Sequence, residues 1–144
     1  MLYTILKNGG GFTITELMVV ILIVAILVAV LISILQGRID EAKWSEAFTT
    51  AGTIRSAIRS YAGGSGISAA QTLVGKDLGD ANTRASLGFD SGDCEGTYFD
   101  SEDYTIISIE ADGTAVITVT GGSKANSPRG SYVLQADGSW EKQE

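Results

Sequence analysis

The strongest pattern in the sequence is an apolar run near its start, residues 17–35, in which no residue carries a charge. As a helix with about 1.5 Å rise per residue, this run spans about 28 Å, close to the ~30 Å hydrocarbon core of a bilayer. Because apolar side chains cover every side of such a helix, none of its faces is suited to water. The run therefore predicts a helix that is buried in lipid or among other helices.

Beyond this run the helical pattern continues, but it becomes amphipathic. Apolar residues recur at steps of three and four positions: Trp44, Ala47, Phe48, Ala51, Ile54, Ile58 and Tyr61. Charged residues lie before and between them and are expected on the solvent side: Arg38, Asp40, Glu41, Lys43, Glu46, Arg55 and Arg59. The pattern predicts one helix over about residues 12–61, whose second half packs on a sheet and which ends before Gly63.

The last third of the chain has the alternating pattern of antiparallel strands. Four segments alternate: residues 104–110, 114–120, 131–135 and 139–142. An Ala-Asp-Gly turn separates each pair, at residues 111–113 and 136–138. The predicted fold class is therefore α+β, a long N-terminal α-helix packed on a C-terminal antiparallel sheet of about four strands. The first half of that helix is transmembrane and the second half amphipathic.

Between helix and sheet the pattern is weaker. Residues 68–78 predict a short helix with four apolar side chains pointing inward, Ala69, Ala70, Leu73 and Val74. Residues 80–103 are rich in Gly, Ser and acidic residues, which predicts a surface loop. Its carboxylates offer the oxygen ligands that calcium prefers: Asp90, Asp93, Glu95, Asp100, Glu102 and Asp103. Their spacing matches no calcium loop that we can name, so a solvated acidic surface is favoured and no metal site is predicted.

Composition limits the chemistry that the chain can perform. Its 144 residues include 17 acidic and 10 basic ones, a formal net charge of −7, which argues against nucleic acid as a partner. It contains no histidine, the commonest general base and metal ligand, and its Ser and Asp residues form no nucleophile motif. We therefore expect a protein that is not an enzyme, with no catalytic residue and no cofactor. Cys94, the single cysteine, is expected to be a partly buried spectator.

The segment before the apolar run carries the most specific signal. A glycine, an aromatic residue and a lone carboxylate follow one another as Gly11, Phe12 and Glu16. In an ordinary secretion signal the cut follows the apolar stretch, whereas here the plausible cut, after Gly11, precedes it. A carboxylate at the membrane edge is costly without a partner. In a simple membrane anchor, Glu16 would lie among the lipid head groups. The alternative is that a free amine on Phe12, created by the cut, is the partner of its carboxylate.

Residues 11–16, Gly-Phe-Thr-Ile-Thr-Glu, followed by the apolar run, resemble the class III signal of type IV pilins and type II secretion pseudopilins. The resemblance implies that a prepilin peptidase cuts after Gly11 and methylates the new N-terminus at Phe12. It also implies that Glu16 pairs with the amine of a neighbouring subunit during assembly. The expected organisation is a leader at residues 1–11, a transmembrane and filament-core helix at 12–35, and a globular head at 36–144.

The sequence departs from the family in two places. Ile14 and Thr15 replace the usual leucine and isoleucine, and Ala25 and Ser33 stand where many members have glycine and proline in the helix. Without proline, the helix has no built-in break in its hydrogen bonds, and Gly37 is its remaining weak point.

The leading hypothesis is a structural subunit of a type IV pilus. Such a subunit waits in the inner membrane among lipids and then joins a cell-surface or periplasmic filament. Its partners are other copies in a helical filament, the prepilin peptidase and the inner-membrane assembly platform. A pseudopilin is the alternative, although Tyr61 is followed by Ala62 where the major pseudopilins usually have proline. A second alternative is a membrane-tethered binding domain that does not assemble.

Overall fold

The computed structural model describes residues 11–143, so the predicted leader lies outside the described residues except for Gly11. The chain divides into two compact units, with the boundary between Arg38 and Ile39. The first helix, α1, covers Ile14–Ser65 and contributes to both units.

In the first unit, every described residue up to Arg38 is exposed. This part of α1 is long and apolar enough to cross a membrane. Each Leu, Ile or Val side chain that stays in water instead of being buried costs about 1.5–3 kcal/mol. The structure therefore leaves this segment in need of lipid or of other helices, as its sequence predicted.

In the second unit, α1 buries one stripe of side chains: Trp44, Ala47, Ala51, Ile54, Ile58 and Ala62. The predicted amphipathic face is confirmed, with Phe48 and Tyr61 packed at its margin. The predicted helix end before Gly63 is wrong, because α1 continues through two glycines to Ser65. Burial of Ala62 holds this last turn in place, and the helix ends before Gly66, whose φ of 92° is positive.

Within residues 11–143, four strands form one antiparallel sheet in the order β1-β2-β3-β4. They are β1 Tyr104–Ile109, β2 Ala115–Gly121, β3 Gly130–Leu134 and β4 Trp140–Gln143. Inward-facing residues of the first three strands, such as Ile106, Ile117 and Leu134, join the α1 stripe in one core. The predicted α+β class is confirmed.

The outer edge of β1 is covered over part of its length by residues 75–78. The amide of Gly75 donates to the carbonyl of Ile106 at 2.8 Å, and the amide of Ile106 donates to the carbonyl of Lys76 at 2.9 Å. The amide of Leu78 donates to Tyr104 at 3.1 Å. Further along β1, a bulge between Ile106 and Ser108 interrupts the pairing with β2.

Two predictions for the middle of the chain need correction. The helix predicted at residues 68–78 is the shorter α2, Ile67–Gln71. Ala70 and Leu73 are buried as predicted, but Val74 is 40% exposed. Gly75, with a φ of 80°, turns the chain here toward β1, so the helical pattern does not continue.

The loop predicted at residues 80–103 contains α3, Ala81–Leu87, and a 3-10 turn at Ser101–Asp103. Asp80 caps α3 by accepting hydrogen bonds from the amide of Asn82 and the hydroxyl of Thr83. Gly88 closes its other end in the left-handed conformation. Asp80 and Gly88, two of the residues that suggested a loop, are therefore the two caps of a short helix.

Two charged side chains of α1 are not on the solvent side as predicted. Arg55 donates to the carbonyls of Ala115 at 2.9 Å and Leu134 at 3.2 Å, and also to that of Gln135. Glu46 accepts hydrogen bonds from a loop backbone. Long side chains at the margin of a helix can turn back toward the core, which a helical pattern alone does not indicate.

Candidate functional site

Gly11 and Phe12 lie before the first residue of α1 and outside its hydrogen-bonded turns. Both are exposed, Phe12 by 78% of its surface. The space that a β-carbon would occupy at Gly11 has no other atom within 4 Å. The peptide bond between them is therefore accessible in a segment without regular structure, the kind of substrate that a peptidase needs.

Thr13 and Glu16 form a reciprocal pair at the start of α1. One oxygen of the Glu16 carboxylate accepts hydrogen bonds from the amide of Thr13 at 2.9 Å and from its hydroxyl at 2.8 Å. In return, the Glu16 amide donates to the Thr13 hydroxyl oxygen at 3.2 Å. This arrangement is a capping box, which provides partners for amide groups that the first helical turn leaves free.

Sequence reasoning had selected Glu16 but missed Thr13. The missing signal was the spacing Thr-x-x-Glu directly before an apolar run, which marks a capping box. The pairing also places the carboxylate one residue away from Phe12, whose nitrogen would become the new amine after a cut at Gly11. Pairing of that amine with Glu16 of another subunit stays a prediction.

Residues 6–32 match the family model of the prokaryotic N-terminal methylation motif. The chain carries a type IV pilin-like class III signal peptide. The match includes Gly11, Phe12 and Glu16 together with most of the apolar run. No curated protein and no solved structure matches the chain. Motif and apolar helix together indicate a membrane-anchored protein of the pilin-like or pseudopilin type.

Some of the acidic residues of the predicted loop serve the local fold. Among residues 11–143, no group of three or more His, Cys, Asp or Glu side chains is placed to hold a metal ion. Asp93 instead accepts a hydrogen bond from the amide of Asp90 at 2.7 Å. Asp103 accepts one from the amide of Asp100 at 2.8 Å and another from the hydroxyl of Ser123. These carboxylates stabilise turns of the backbone.

Cys94 is more deeply buried than its sequence suggested, with 2% of its surface exposed. It forms part of the wall of a cleft of about 80 Å³ between α1 and residues 89–94. Burial raises the pKa of its thiol, so the thiol stays protonated and unreactive at neutral pH.

The aromatic residues fix α1 on the sheet. The ring of Trp44 lies 4.9 Å from that of Phe99 and 4.7 Å from that of Tyr132. Phe48 and Trp140 are 4.2 Å apart between ring centroids. Such contacts contribute about 0.5–1.5 kcal/mol per pair beyond the area they bury. The two tryptophans are thus accounted for by packing in the head.

Proposed function

We propose that this protein is a structural subunit of a type IV pilus. It is cut between Gly11 and Phe12, methylated on the new N-terminus, and assembled into a helical filament through its first helix. One observation carries the proposal: a methylation motif covers the start of an apolar helix, all of whose residues up to Arg38 are exposed in the single chain.

The exposed apolar part of α1 needs apolar surroundings both before and after assembly. Before assembly, lipid covers its apolar side chains in the inner membrane. After assembly, the same side chains contact the corresponding helices of other subunits in the filament core. Because lipid tails and helix surfaces are equally apolar, close packing and paired polar groups must supply the preference for the filament.

Glu16 supplies such a polar pairing. The amine of a cut Phe12 is mostly protonated at neutral pH, and it would be costly to bury alone among apolar helices. A neighbouring Glu16 offers it a carboxylate. The capping box already holds this carboxylate at the start of α1, so little ordering is needed when the partner arrives.

The pseudopilin alternative shares the same N-terminus and predicts the same processing. The absence of a proline after Tyr61 favours the pilus, since α1 continues through Ala62 to Ser65 without a break. A non-assembling binding domain would have no use for a methylated N-terminus. We also propose that the protein has no enzymatic role, because its sequence lacks histidine and any nucleophile motif.

The decisive experiment recovers filaments sheared from cells that express the full chain with its assembly machinery. We expect a filament subunit whose intact mass equals the chain without its first eleven residues, plus one methyl group. Recovery of processed protein from the membrane alone, with no filament, would contradict the proposal. Filaments that appear only when the secretion system is overproduced would favour the pseudopilin.

A further inference from the structure

The loop between β2 and β3 is basic, although it belongs to an acidic head. Residues 39–144 have sixteen acidic and eight basic side chains, a net charge of −8. Residues 121–130, here called the basic loop, contain Lys124 and Arg129 and no acidic residue, so this segment carries a charge of +2. An anionic surface therefore attracts the basic loop and repels the head as a whole.

The basic loop lies at the end of the head where α1 enters it. The loop joins the last residue of β2 to the first residue of β3. Shortly after the loop, the ring of Tyr132 lies 4.7 Å from that of Trp44. The amino group of Lys124 donates to the carbonyl of Gly96 at 2.6 Å, and Gly96 in turn lies against the Glu46 carboxylate. These contacts place the basic loop beside the first residues of α1 that the head buries.

Distance along α1 decides which end of the head can reach a bilayer surface. Lys43 follows Leu35, the last residue of the apolar run, by eight residues, or about 12 Å of helix. Arg59, which pairs with Asp112 at the other end of the sheet, follows Leu35 by twenty-four residues, or about 36 Å. The polar region of a bilayer adds about 5–7 Å on each side of its hydrocarbon core. Measured along α1, the end with the basic loop is therefore within about one Debye length (~8–10 Å) of the lipid phosphates, and the other end is well beyond it.

The positive charge of the basic loop is not cancelled by its own surroundings. Arg129 is exposed and makes no hydrogen bond or ion pair within residues 11–143. Two carboxylates border the loop, and both already have partners. Asp103, which is 7% exposed, accepts a hydrogen bond from the hydroxyl of Ser123, and Glu46 is bound by the amides of residues 97–99.

The charged residues where α1 enters the head, by contrast, balance one another. Arg38 and Lys43 are basic, and Asp40 and Glu41 are acidic. Lys43 pairs with Asp40 at 3.3 Å. The positive excess at this end of the head therefore comes from the basic loop.

We propose that the basic loop of the membrane-anchored chain binds the head groups of anionic lipids and so holds the head against the bilayer. The apolar run brings this partner within reach of every copy of the chain. Each Lys or Arg near an anionic surface favours such binding by about fivefold. Repulsion of the acidic remainder favours the orientation in which only this end of the head touches the lipids. The contact belongs to the anchored state and does not require assembly into a filament.

A dye on the basic loop measures this contact in the full chain. Ala125 is exposed and Cys94 is buried, so a maleimide dye should react with Ala125→Cys chains and not with the wild type. The labelled chain is inserted into vesicles of phosphatidylcholine, or of an equal mixture with phosphatidylglycerol, that carry an acceptor dye on some head groups. We expect energy transfer to the lipid to be about twofold or more higher in the anionic vesicles. Concentrated salt, which screens the attraction, should return it to the level of the neutral vesicles.

Two charge reversals in the labelled chain test whether the charge of the loop is responsible. Arg129→Glu replaces a positive charge with a negative one, which should shift the binding equilibrium by about twentyfold and reduce transfer to the level of the neutral vesicles. Arg59→Glu changes the net charge equally at the other end of the head and should keep the high transfer. Flotation of the vesicles confirms that each variant is inserted, and thermal unfolding confirms that its head is folded.

A second dye position tests the orientation. Ala111 is exposed in the turn at the other end of the sheet, so a dye on Ala111→Cys should give low transfer in both kinds of vesicle. High transfer from residue 111 would overturn the proposal, as would equal transfer from residue 125 in neutral and anionic vesicles. Equal transfer from the two folded charge-reversal variants would also overturn it. Transfer that appears only with many chains per vesicle would do the same, because contact between copies would then position the loop.

Discussion

The carboxylate of Glu46 occupies the space that a β-carbon would need at Gly96. There it accepts hydrogen bonds from the three consecutive backbone amides of residues 97–99, at 3.1, 2.9 and 3.2 Å. Lys124 contacts the same segment by donating to the carbonyl of Gly96 at 2.6 Å. One helix side chain thus fixes the loop that leads into β1.

Removal of the Glu46 carboxylate should destabilise the head. For Glu46→Ala we expect the free energy of unfolding to fall by about 1–3 kcal/mol, because hydrogen bonds to a charged acceptor are lost. Glu46→Gln keeps one acceptor oxygen and should lose less. Glu110→Ala, which removes an exposed carboxylate, is the control and should change stability by under about 0.5 kcal/mol. Thermal unfolding followed by circular dichroism measures all three, and equal melting of Glu46→Ala and Glu110→Ala would refute this role.

Arg55 should matter more to stability than Arg59, one turn further along α1. Arg55 donates to backbone carbonyls of β2, of the end of β3 and of the turn that follows, so Arg55→Ala should cost about 1–3 kcal/mol. Arg59 makes an exposed ion pair with Asp112 at 3.5 Å, and such pairs contribute little. Urea unfolding of both alanine variants provides the comparison. A larger loss for Arg59→Ala would contradict the assignment.

High pH should destabilise the head through Tyr104 and Cys94. Burial raises the pKa of both side chains above their ordinary values of 10.0 and 9.0. As the pH rises, the unfolded chain therefore loses these protons before the folded one does. The contribution of these two groups to stability is constant below their ordinary pKa values and should decline from about pH 9 upward. Melting temperatures measured over this range should fall less steeply for Tyr104→Phe, and an unchanged slope would contradict the prediction.

Processing should depend on a small residue at position 11. Gly11→Ile places a branched side chain at the scissile bond, so we expect the eleven-residue leader to remain attached. Intact mass of the membrane-extracted chain detects the uncut protein. Gly37→Ile, a matched substitution at an exposed helix position, should leave cutting normal. A mature N-terminus after residue 35 in the wild type would refute the predicted cut.

The two roles of Glu16 can be separated by variants of the capping box. Glu16→Ala should insert into the membrane at least as well as the wild type, because it removes a charge from an apolar segment. Filament yield should nevertheless fall about a hundredfold or more, since the incoming amine would be buried unpaired. Thr13→Ala removes the cap but keeps the carboxylate, so its filament yield should fall much less. Sheared filament is compared with membrane protein from the same cells, and normal filaments from cut Glu16→Ala protein would defeat the pairing model.

Long-range periodicity was the reliable part of the sequence signal. A pattern repeated over dozens of residues predicted α1 and its buried stripe, and alternation together with the Ala-Asp-Gly turns predicted the strands. The short α3 was missed because Asp80 and Gly88, read as loop residues, are its caps. The side-chain contacts of Arg55 and Glu46 could not be predicted, because their hydrogen-bond partners are backbone carbonyls and amides that are distant in sequence.

The site followed the same rule. Gly11, Phe12 and Glu16 were identified because their spacing to the apolar run is local in sequence. Thr13 was identifiable from its spacing to Glu16, although that signal was overlooked. The bulge between Ile106 and Ser108 was not predicted, because strict alternation would place Ser108 in the core, whereas Ile109 is buried there instead.

Residues 75–78 form a strap along the edge of β1, and this strap affects how the sheet behaves when many copies of the protein are close together. Subunits stored in a membrane, or aligned side by side, bring many sheet edges close together, and bare edges invite runaway strand pairing. Here the strap already uses the amides and carbonyls of β1 at three points. At the opposite edge, β4 is only four residues long and carries Glu141 and Lys142. Both edges of this sheet are therefore protected against pairing with the sheet of a neighbouring copy.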